Sequence, residues 1–103
     1  LLTGRWINAG EANRWGLVNE IVPARRLLDR AWEQARLIES GPPLVYAAIK
    51  QIVREAEGMC FQAAMNKITK RQFGTVDVLY GSEDNLEGAR AFAEKRDPVW
   101  RGV

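Results

Sequence analysis

Apolar residues recur at steps of three and four over most of this chain, and that spacing is typical of one face of an α-helix. The pattern predicts an amphipathic helix from about residue 25 to 39, with the apolar positions Leu27, Leu28, Ala31, Trp32, Ala35 and Ile38. It predicts a second helix from about residue 43 to 57, with Val45, Ala48, Ile49, Ile52, Val53 and Ala56. Ser-Gly-Pro-Pro at residues 40–43 separates the two, because a residue before proline avoids helical geometry.

Two further helical segments are predicted downstream. From about residue 60 to 79 the apolar pattern is looser, and Gly74 weakens a helix there by about 1 kcal/mol relative to alanine. The last helix is predicted to start after Ser82 as its N-cap and to carry Lys95 and Arg96 in its last turn, where the helix dipole favours cations. Its predicted apolar face consists of Leu86, Ala89, Phe92 and Ala93.

The first part of the chain predicts a short helix and a strand. Asn8 followed by Glu11 has the spacing of a capping box, and Gly16 would close the helix. Residues 17–22 are rich in β-branched side chains and precede Pro23, which predicts one short strand. A lone strand cannot form a sheet, so its partners are expected outside this chain. The predicted fold class is mainly α with one short strand.

Composition limits the class of protein. The chain has 103 residues, of which 47% are apolar and 27% charged, as in an ordinary globular domain. A chain this short buries roughly 60 to 70% of its unfolded surface, so large apolar stripes call for a partner. The net charge of +2 is spread along the chain, and Lys67, Lys70 and Arg71 are interpreted as a solvated helix face. No nucleic-acid partner is expected.

The sequence offers few groups for chemistry. It contains no histidine and a single cysteine, Cys60, so we predict no metal site and no disulfide, and we interpret Cys60 as an inert buried thiol. Glu55 and Glu57 lie two positions apart on a predicted helix and therefore point to different sides. The scattered Trp6, Trp15, Trp32 and Trp100, together with Phe92, are predicted to be packing residues.

Two further expectations concern where the protein is located and whether the sequence is part of a longer one. No apolar run approaches the roughly 20 residues that span a bilayer, so we expect a cytoplasmic protein without a membrane partner. The sequence begins at Leu1 within Leu-Leu-Thr-Gly, which resembles the end of an element. We therefore expect the chain to be a piece of a longer protein.

Two segments resemble the enoyl-CoA hydratase/isomerase (crotonase) family. The first is Ile-Asn-Ala-Gly-Glu-Ala at residues 7–12 with Trp-Gly-Leu-Val-Asn-Glu-Ile-Val-Pro at residues 15–23. The second is Ser-Glu-Asp-Asn-Leu-Glu-Gly-Ala-Arg-Ala-Phe-Ala-Glu-Lys-Arg-Asp-Pro at residues 82–98. They stand in the family's order and at about its separation, so the resemblance covers the whole chain. Within the family, the ending is most similar to the carnitinyl-CoA dehydratase (crotonobetainyl-CoA hydratase) subgroup.

The resemblance implies the C-terminal portion of the α/β crotonase (β/β/α spiral) fold. Residues 1–40 would end the spiral core, and residues 41–103 would form a helical lid and oligomerisation region. The implied reaction is reversible water addition to a 2-enoyl-CoA thioester, with an oxyanion hole and catalytic glutamates upstream of Leu1. The resemblance therefore assigns no catalytic residue to this chain, and no cofactor beyond the coenzyme A thioester that serves as substrate.

One site residue carries over from the resemblance. Lys95 matches the family lysine that approaches the phosphate-bearing end of coenzyme A, and the alternative is that Lys95 only complements the end of its helix. The aromatic residue that some members place beside the adenine corresponds here to Val76. The implied partners are an acyl-CoA substrate, the missing N-terminal catalytic core, and further copies in a homotrimer or hexamer.

Two other functions stay open on the sequence. The chain could be a non-catalytic helical interaction or oligomerisation module, which a self-sufficient apolar core would favour. The parent could also be an enoyl-CoA isomerase of the same family. The acyl group is not encoded in these residues, because the pocket that binds it is expected mostly upstream.

Overall fold

A computed structural model describes residues 3–103, so the expectation that Leu1 and Leu2 end an element lies outside the described residues. The chain is mainly helical, as predicted. The elements in order are α1 (Ala9–Arg14), a 3₁₀ turn (Ala24–Arg26), α2 (Leu27–Glu39), α3 (Pro43–Ala56), α4 (Phe61–Thr69), α5 (Gly74–Gly81) and α6 (Glu83–Glu94). Contacts divide the chain into a first unit, Leu1–Ile38, and a second unit, Glu39–Val103. No helix between residues 3 and 103 is long and apolar enough to cross a membrane.

Helix α1 is fixed at its start by the predicted capping box. The Glu11 N–H donates to the Asn8 side-chain oxygen at 2.9 Å, and the Asn8 N–H donates to the Glu11 carboxylate at 3.3 Å. The Arg5 guanidinium binds the same carboxylate at 2.8 Å, and this hydrogen bond is the main reason why the pKa of Glu11 is lowered. Gly16 adopts φ 71° after the helix, a left-handed conformation that glycine adopts without steric cost.

The predicted strand at residues 17–22 is wrong. These residues are non-helical and extended or bent, and no strand is formed anywhere between residues 3 and 103. A β-strand exists only when a second strand pairs with its backbone groups, and the described part of the chain supplies none. The β-branched composition of this segment favours extended backbone but cannot by itself make a sheet.

Helix α2 confirms the predicted amphipathic pattern, but its apolar face is not covered. The Arg30 guanidinium binds Glu20 and Glu33, each at 2.9 Å, on the polar side. None of residues 3–38 is buried. The exposed large apolar residues of this unit are Trp6, Ile7, Trp15, Leu17, Val18, Ile21, Leu27, Leu28, Trp32, Leu37 and Ile38.

Three of the four tryptophans that were predicted to be packing residues are not covered by the described residues. Trp6 is 96% exposed, and Trp15 and Trp32 are also exposed. Apolar spacing shows which residues share a helix face, but it does not show whether another surface covers that face. Trp100 differs, because it is partly buried and its ring lies against Gly88.

The second unit is built on a small apolar core. Helix α3 packs against α4 and α5, and α5 packs against α6. Phe73 is fully buried between Ala48 of α3 and Val76 of α5, with Ile52, Ile68 and Leu79 packed around this cluster. The Phe73 carbonyl also accepts hydrogen bonds from the Val76 and Asp77 N–H groups, so the same residue begins α5.

The single helix predicted from about residue 60 to 79 is instead two helices. Arg71 adopts φ 52°, and the Gln72 N–H donates to the Lys67 carbonyl at 2.9 Å, which is the pattern of a helix C-terminus. The backbone then turns, and Gly74 begins α5 rather than weakening the middle of a helix. The loose apolar pattern reflected this break.

A polar network ties α3 to α4 and α5. The Gln51 side-chain oxygen accepts from the Thr75 N–H at 3.0 Å and from the Thr75 hydroxyl at 2.6 Å. Glu55 accepts from Gln51 and from the Lys67 ammonium, each at 2.7 Å, and the Lys67 bond is the main cause that lowers the Glu55 pKa. Lys67 is thus paired, rather than part of a free basic face with Lys70 and Arg71.

The buried thiol predicted at Cys60 is wrong as well. Cys60 is exposed in extended backbone at the start of α4, outside the contact between α3 and α5.

The central role of Phe73 gives a stability prediction. Replacing it by alanine leaves a cavity in the only apolar cluster of the second unit, and we expect a loss of roughly 3–5 kcal/mol in the free energy of unfolding. Phe61→Ala is the matched control, because that ring is 79% exposed and α4 retains its length. Urea unfolding followed by circular dichroism measures both. Equal losses for the two variants would contradict the assigned core.

Candidate functional site

The candidate site lies at the end of α6, whose start is fixed by Ser82. The Ser82 hydroxyl accepts from the Asn85 N–H at 3.1 Å and donates to the Leu79 carbonyl at 2.7 Å. The predicted N-cap is confirmed, and it also joins the end of α5 to the start of α6. The direction of α6 is therefore set by the packed part of the second unit.

Helix α6 ends one residue before Lys95. Lys95 adopts a left-handed conformation, φ 55° and ψ 42°, and the Arg96 N–H donates to the Ala91 carbonyl at 3.1 Å. The prediction that Lys95 and Arg96 occupy the last helical turn is therefore wrong. Left-handed backbone costs a side-chain-bearing residue roughly 1–2 kcal/mol, so other contacts must hold this turn.

The Arg96 side chain holds the turn by reaching back to α6. Its two terminal nitrogens bind the two Glu87 oxygens at 2.6 and 2.9 Å, and its Nε binds Glu94 at 2.6 Å. The Val99 N–H donates to the same Glu87 carboxylate at 2.9 Å. Arg96 is the main cause that lowers the pKa of Glu87 to about 2, and Glu87 in turn raises the pKa of Arg96.

The residues after the turn fold back along α6 to its first turn. Asp84 is buried, and its two oxygens accept from the Arg101 and Gly102 N–H groups at 2.8 and 2.9 Å. The Trp100 ring occupies the space beside Gly88, where a Cβ atom would lie 3.2 Å from it. Both ends of α6 thus anchor residues 97–103.

Lys95 differs from these neighbours because its charge is unpaired. Its side chain forms no hydrogen bond or ion pair within residues 3–103, and the residue is exposed. The nearby Arg96 is occupied by two carboxylates. The arrangement therefore leaves one ammonium at the turn that can meet an external anion, and phosphate is a suitable anion.

Two other residues lie differently from the predictions. Val76, which stands where the resemblance places the aromatic residue beside the adenine, is buried in the core and offers no ring for such a contact. Phe92, predicted to be a core residue, is 87% exposed, and its carbonyl accepts from the Lys95 N–H at 3.3 Å. The buried side of α6 is formed instead by Asp84 and Ala91. Apolar spacing could not reveal that the Phe92 ring is exposed, because it shows which residues share a face and not whether the face is covered.

Three further carboxylates of the second unit have partners within the chain. No group of three or more metal-binding side chains occurs in residues 3–103. Glu55, Asp84 and Glu87 are engaged with Lys67, with backbone N–H groups and with Arg96. What remains is the exposed and unpaired Lys95 ammonium, which is a candidate contact for an anion.

Comparison with known proteins shows which family the chain belongs to. The enoyl-CoA hydratase/isomerase family matches residues 1–103. The chain is 42% identical to a carnitinyl-CoA dehydratase from Citrobacter koseri over 102 residues, which are 99% of this chain and 39% of that protein. It is 43% identical to a carnitinyl-CoA dehydratase from Salmonella arizonae, with the same coverage of 99% and 39%.

Solved structures agree with the sequence comparison. An enoyl-CoA hydratase from Mycobacterium marinum is similar with a TM-score of 0.82 and 35% identity, over 99% of this chain and 39% of that chain. An enoyl-CoA hydratase from Bacillus anthracis is similar with a TM-score of 0.83 and 31% identity, over 99% of this chain and 38% of that chain.

The chain belongs to the enoyl-CoA hydratase/isomerase family, and the resemblance seen in the sequence is confirmed. Its fold is that of the corresponding part of the crotonase fold. The similarity to carnitinyl-CoA dehydratases is also confirmed. The chain spans about two fifths of the length of the curated relatives it matches, 39% in each of the two named here.

The Glu87–Arg96 pair predicts a pH dependence. Because the Glu87 pKa is lowered from 4.5 to about 2, the pair stabilises the fold fully above pH 4.5, and its contribution is lost as the pH falls toward 2. Carboxyl chemical shifts from a pH titration by NMR measure this directly. In the Arg96→Met variant we expect the Glu87 midpoint to move up toward 4.5. An unchanged midpoint in that variant would show that Arg96 is not the cause.

Proposed function

We propose that this chain is the C-terminal part of an acyl-CoA hydratase/dehydratase, in which it closes the active site and forms subunit contacts. The reaction is reversible water addition to a 2-enoyl-CoA thioester. The similarity to carnitinyl-CoA dehydratases supports crotonobetainyl-CoA and carnitinyl-CoA as the substrate pair. The chain alone is proposed to be inactive, with the oxyanion hole and catalytic glutamates supplied by an N-terminal core.

The uncovered apolar surface is the observation that carries this proposal. No residue between 3 and 38 is buried, although this range carries large apolar side chains such as Leu28 and Trp32. Burying apolar surface contributes roughly 25 cal/mol per Å², and contiguous exposed patches of this kind mark interfaces. The second unit also exposes Phe61 and Leu86. These surfaces support docking on a catalytic core and on further copies in a homotrimer or hexamer.

The apolar distribution also favours this proposal over an independent helical module. Such a module needs a core of its own, and the apolar residues buried in the described chain are Ala48, Phe73, Val76 and Ala91. All of them belong to the second unit. A helical module without a partner would leave the face of α2 in water.

Lys95 is proposed to bind a phosphate of the coenzyme A substrate. Its ammonium is exposed and unpaired within the described residues, and a lysine forms charge-assisted hydrogen bonds with phosphate oxygens. Phe92, three residues before Lys95, exposes a ring that can stack on a purine, since every base has a π-face. The contact would add binding energy far from the reacting double bond, and it would therefore act mainly on KM.

The reaction is tested by adding crotonyl-CoA and crotonobetainyl-CoA to the complete protein in which this chain occurs. We expect loss of the absorbance of the conjugated thioester as water adds. The isolated 103-residue chain should show no hydration above the uncatalysed rate. Migration of the double bond without hydration would favour the isomerase alternative, and activity of the isolated chain would contradict the proposed upstream location of the catalytic groups.

The Lys95 contact gives a specific kinetic prediction. Lys95→Met in the complete enzyme should raise KM for the coenzyme A thioester roughly three- to tenfold, which corresponds to about 0.7–1.4 kcal/mol, with kcat nearly unchanged. Lys50→Met is the matched control, because Lys50 is also an exposed lysine but lies on α3. A thioester of pantetheine, which lacks the nucleotide, should be turned over equally by both variants. An unchanged KM for Lys95→Met would contradict the phosphate contact.

A further inference from the structure

We infer that Glu87 and Arg96 are positioning residues for Lys95, holding its ammonium in the place where it meets the phosphate of the coenzyme A substrate. This inference rests on the proposed function and deepens it. The pair does not contact the ligand. It fixes the backbone turn from which Lys95 projects.

The turn requires such a fixation. Lys95 has φ 55°, a conformation that a side-chain-bearing residue adopts only where surrounding contacts determine it. Its N–H is shared between the Ala91 and Phe92 carbonyls, with 3.3 Å to the second of them. The bidentate contact between Arg96 and Glu87 crosses from the residue after the turn to a residue nine positions earlier on α6. The direction in which the chain leaves the helix is therefore fixed by the Glu87 carboxylate together with the bond from the Arg96 N–H to the Ala91 carbonyl.

Glu87 fixes the turn on a second side. The same carboxylate oxygen that accepts from Arg96 at 2.6 Å also accepts from the Val99 N–H at 2.9 Å. One carboxylate thus binds the residue directly after Lys95 and the backbone three residues further on. Release of Glu87 would free both at once, which a surface ion pair between two side chains would not do.

The charges divide the roles of Lys95 and Arg96. Arg96 binds Glu94, Glu87 and the Asp97 carbonyl, so two carboxylates balance its charge and four of its five N–H donors are occupied. Lys95 has no partner within residues 3–103 and is exposed. Of the two adjacent cations, therefore, Lys95 binds the phosphate and Arg96 positions it.

The test uses Glu87→Gln in the complete enzyme, because glutamine keeps the shape of the side chain but removes the charge that binds Arg96. We expect KM for the coenzyme A thioester to rise roughly three- to tenfold, with kcat within about twofold and the pantetheine thioester unaffected. Glu83→Gln is the matched control: it makes the same change of charge on the same helix, at an exposed residue. It should leave all kinetic constants unchanged.

A double variant separates positioning from other effects. If Glu87 acts through Lys95, the Glu87→Gln/Lys95→Met enzyme should have the same KM as Lys95→Met alone. Additive increases, or an equal increase with the pantetheine thioester, would overturn the inference. Arg96→Lys is the second variant, in case Glu87→Gln does not fold. It keeps the charge, loses the bidentate geometry, and should reproduce the selective rise in KM.

Direct binding keeps the inference apart from the proposed reaction. Calorimetric titration with coenzyme A and with dephospho-coenzyme A measures the phosphate contact without turnover. Absence of hydration with any 2-enoyl thioester would refute the proposed function alone. Coenzyme A binding that is weakened by Lys95→Met but unchanged by Glu87→Gln would refute the positioning role alone.

Discussion

The burial of Phe73 is the interaction on which the second unit of this chain depends. Its ring lies between Ala48 and Val76, so α3 and α5 pack through it, and its carbonyl begins α5. Helix α6 is then fixed to α5 through Ser82, and the turn at Lys95 is fixed to α6 through Glu87. The position of the candidate phosphate contact therefore depends, step by step, on one small apolar cluster.

Because that cluster is small, many apolar side chains of the chain remain exposed. The chain has enough apolar side chains for several helix interfaces, but it covers few of them itself, and none of residues 3–38 is buried. The chain belongs to the enoyl-CoA hydratase/isomerase family and spans 39% of the length of a relative that it matches. The remaining length of such a protein can cover the exposed apolar faces. In the proposed enzyme they pack on the catalytic core and on neighbouring subunits, while the far end of α6 contributes binding energy to the substrate.

The sequence predicted those features that depend on neighbours along the chain. The capping box of Asn8 and Glu11, the N-cap at Ser82 and the amphipathic patterns of α2 and α3 are local, and all were confirmed. The strand at residues 17–22 was wrong because pairing depends on a partner. Phe92 and Cys60 were predicted to be buried and are exposed within the described chain, since periodicity does not show whether a face is covered. The left-handed turn at Lys95 depends on Arg96 reaching Glu87, a contact that no spacing rule indicated.

In the proposed enzyme, the exposed apolar faces of this chain are covered by surfaces outside the chain. Hydrogen exchange of the 103-residue chain alone, compared with the complete protein, tests whether they are. We expect amides of α2 to exchange almost freely in the isolated monomeric chain, whereas amides of α3 and α5 around Phe73 are better protected. In the complete protein, we expect α2 to become protected. Protection of α2 equal to that of α3 in the isolated monomer would contradict the dependence of α2 on a surface outside the chain.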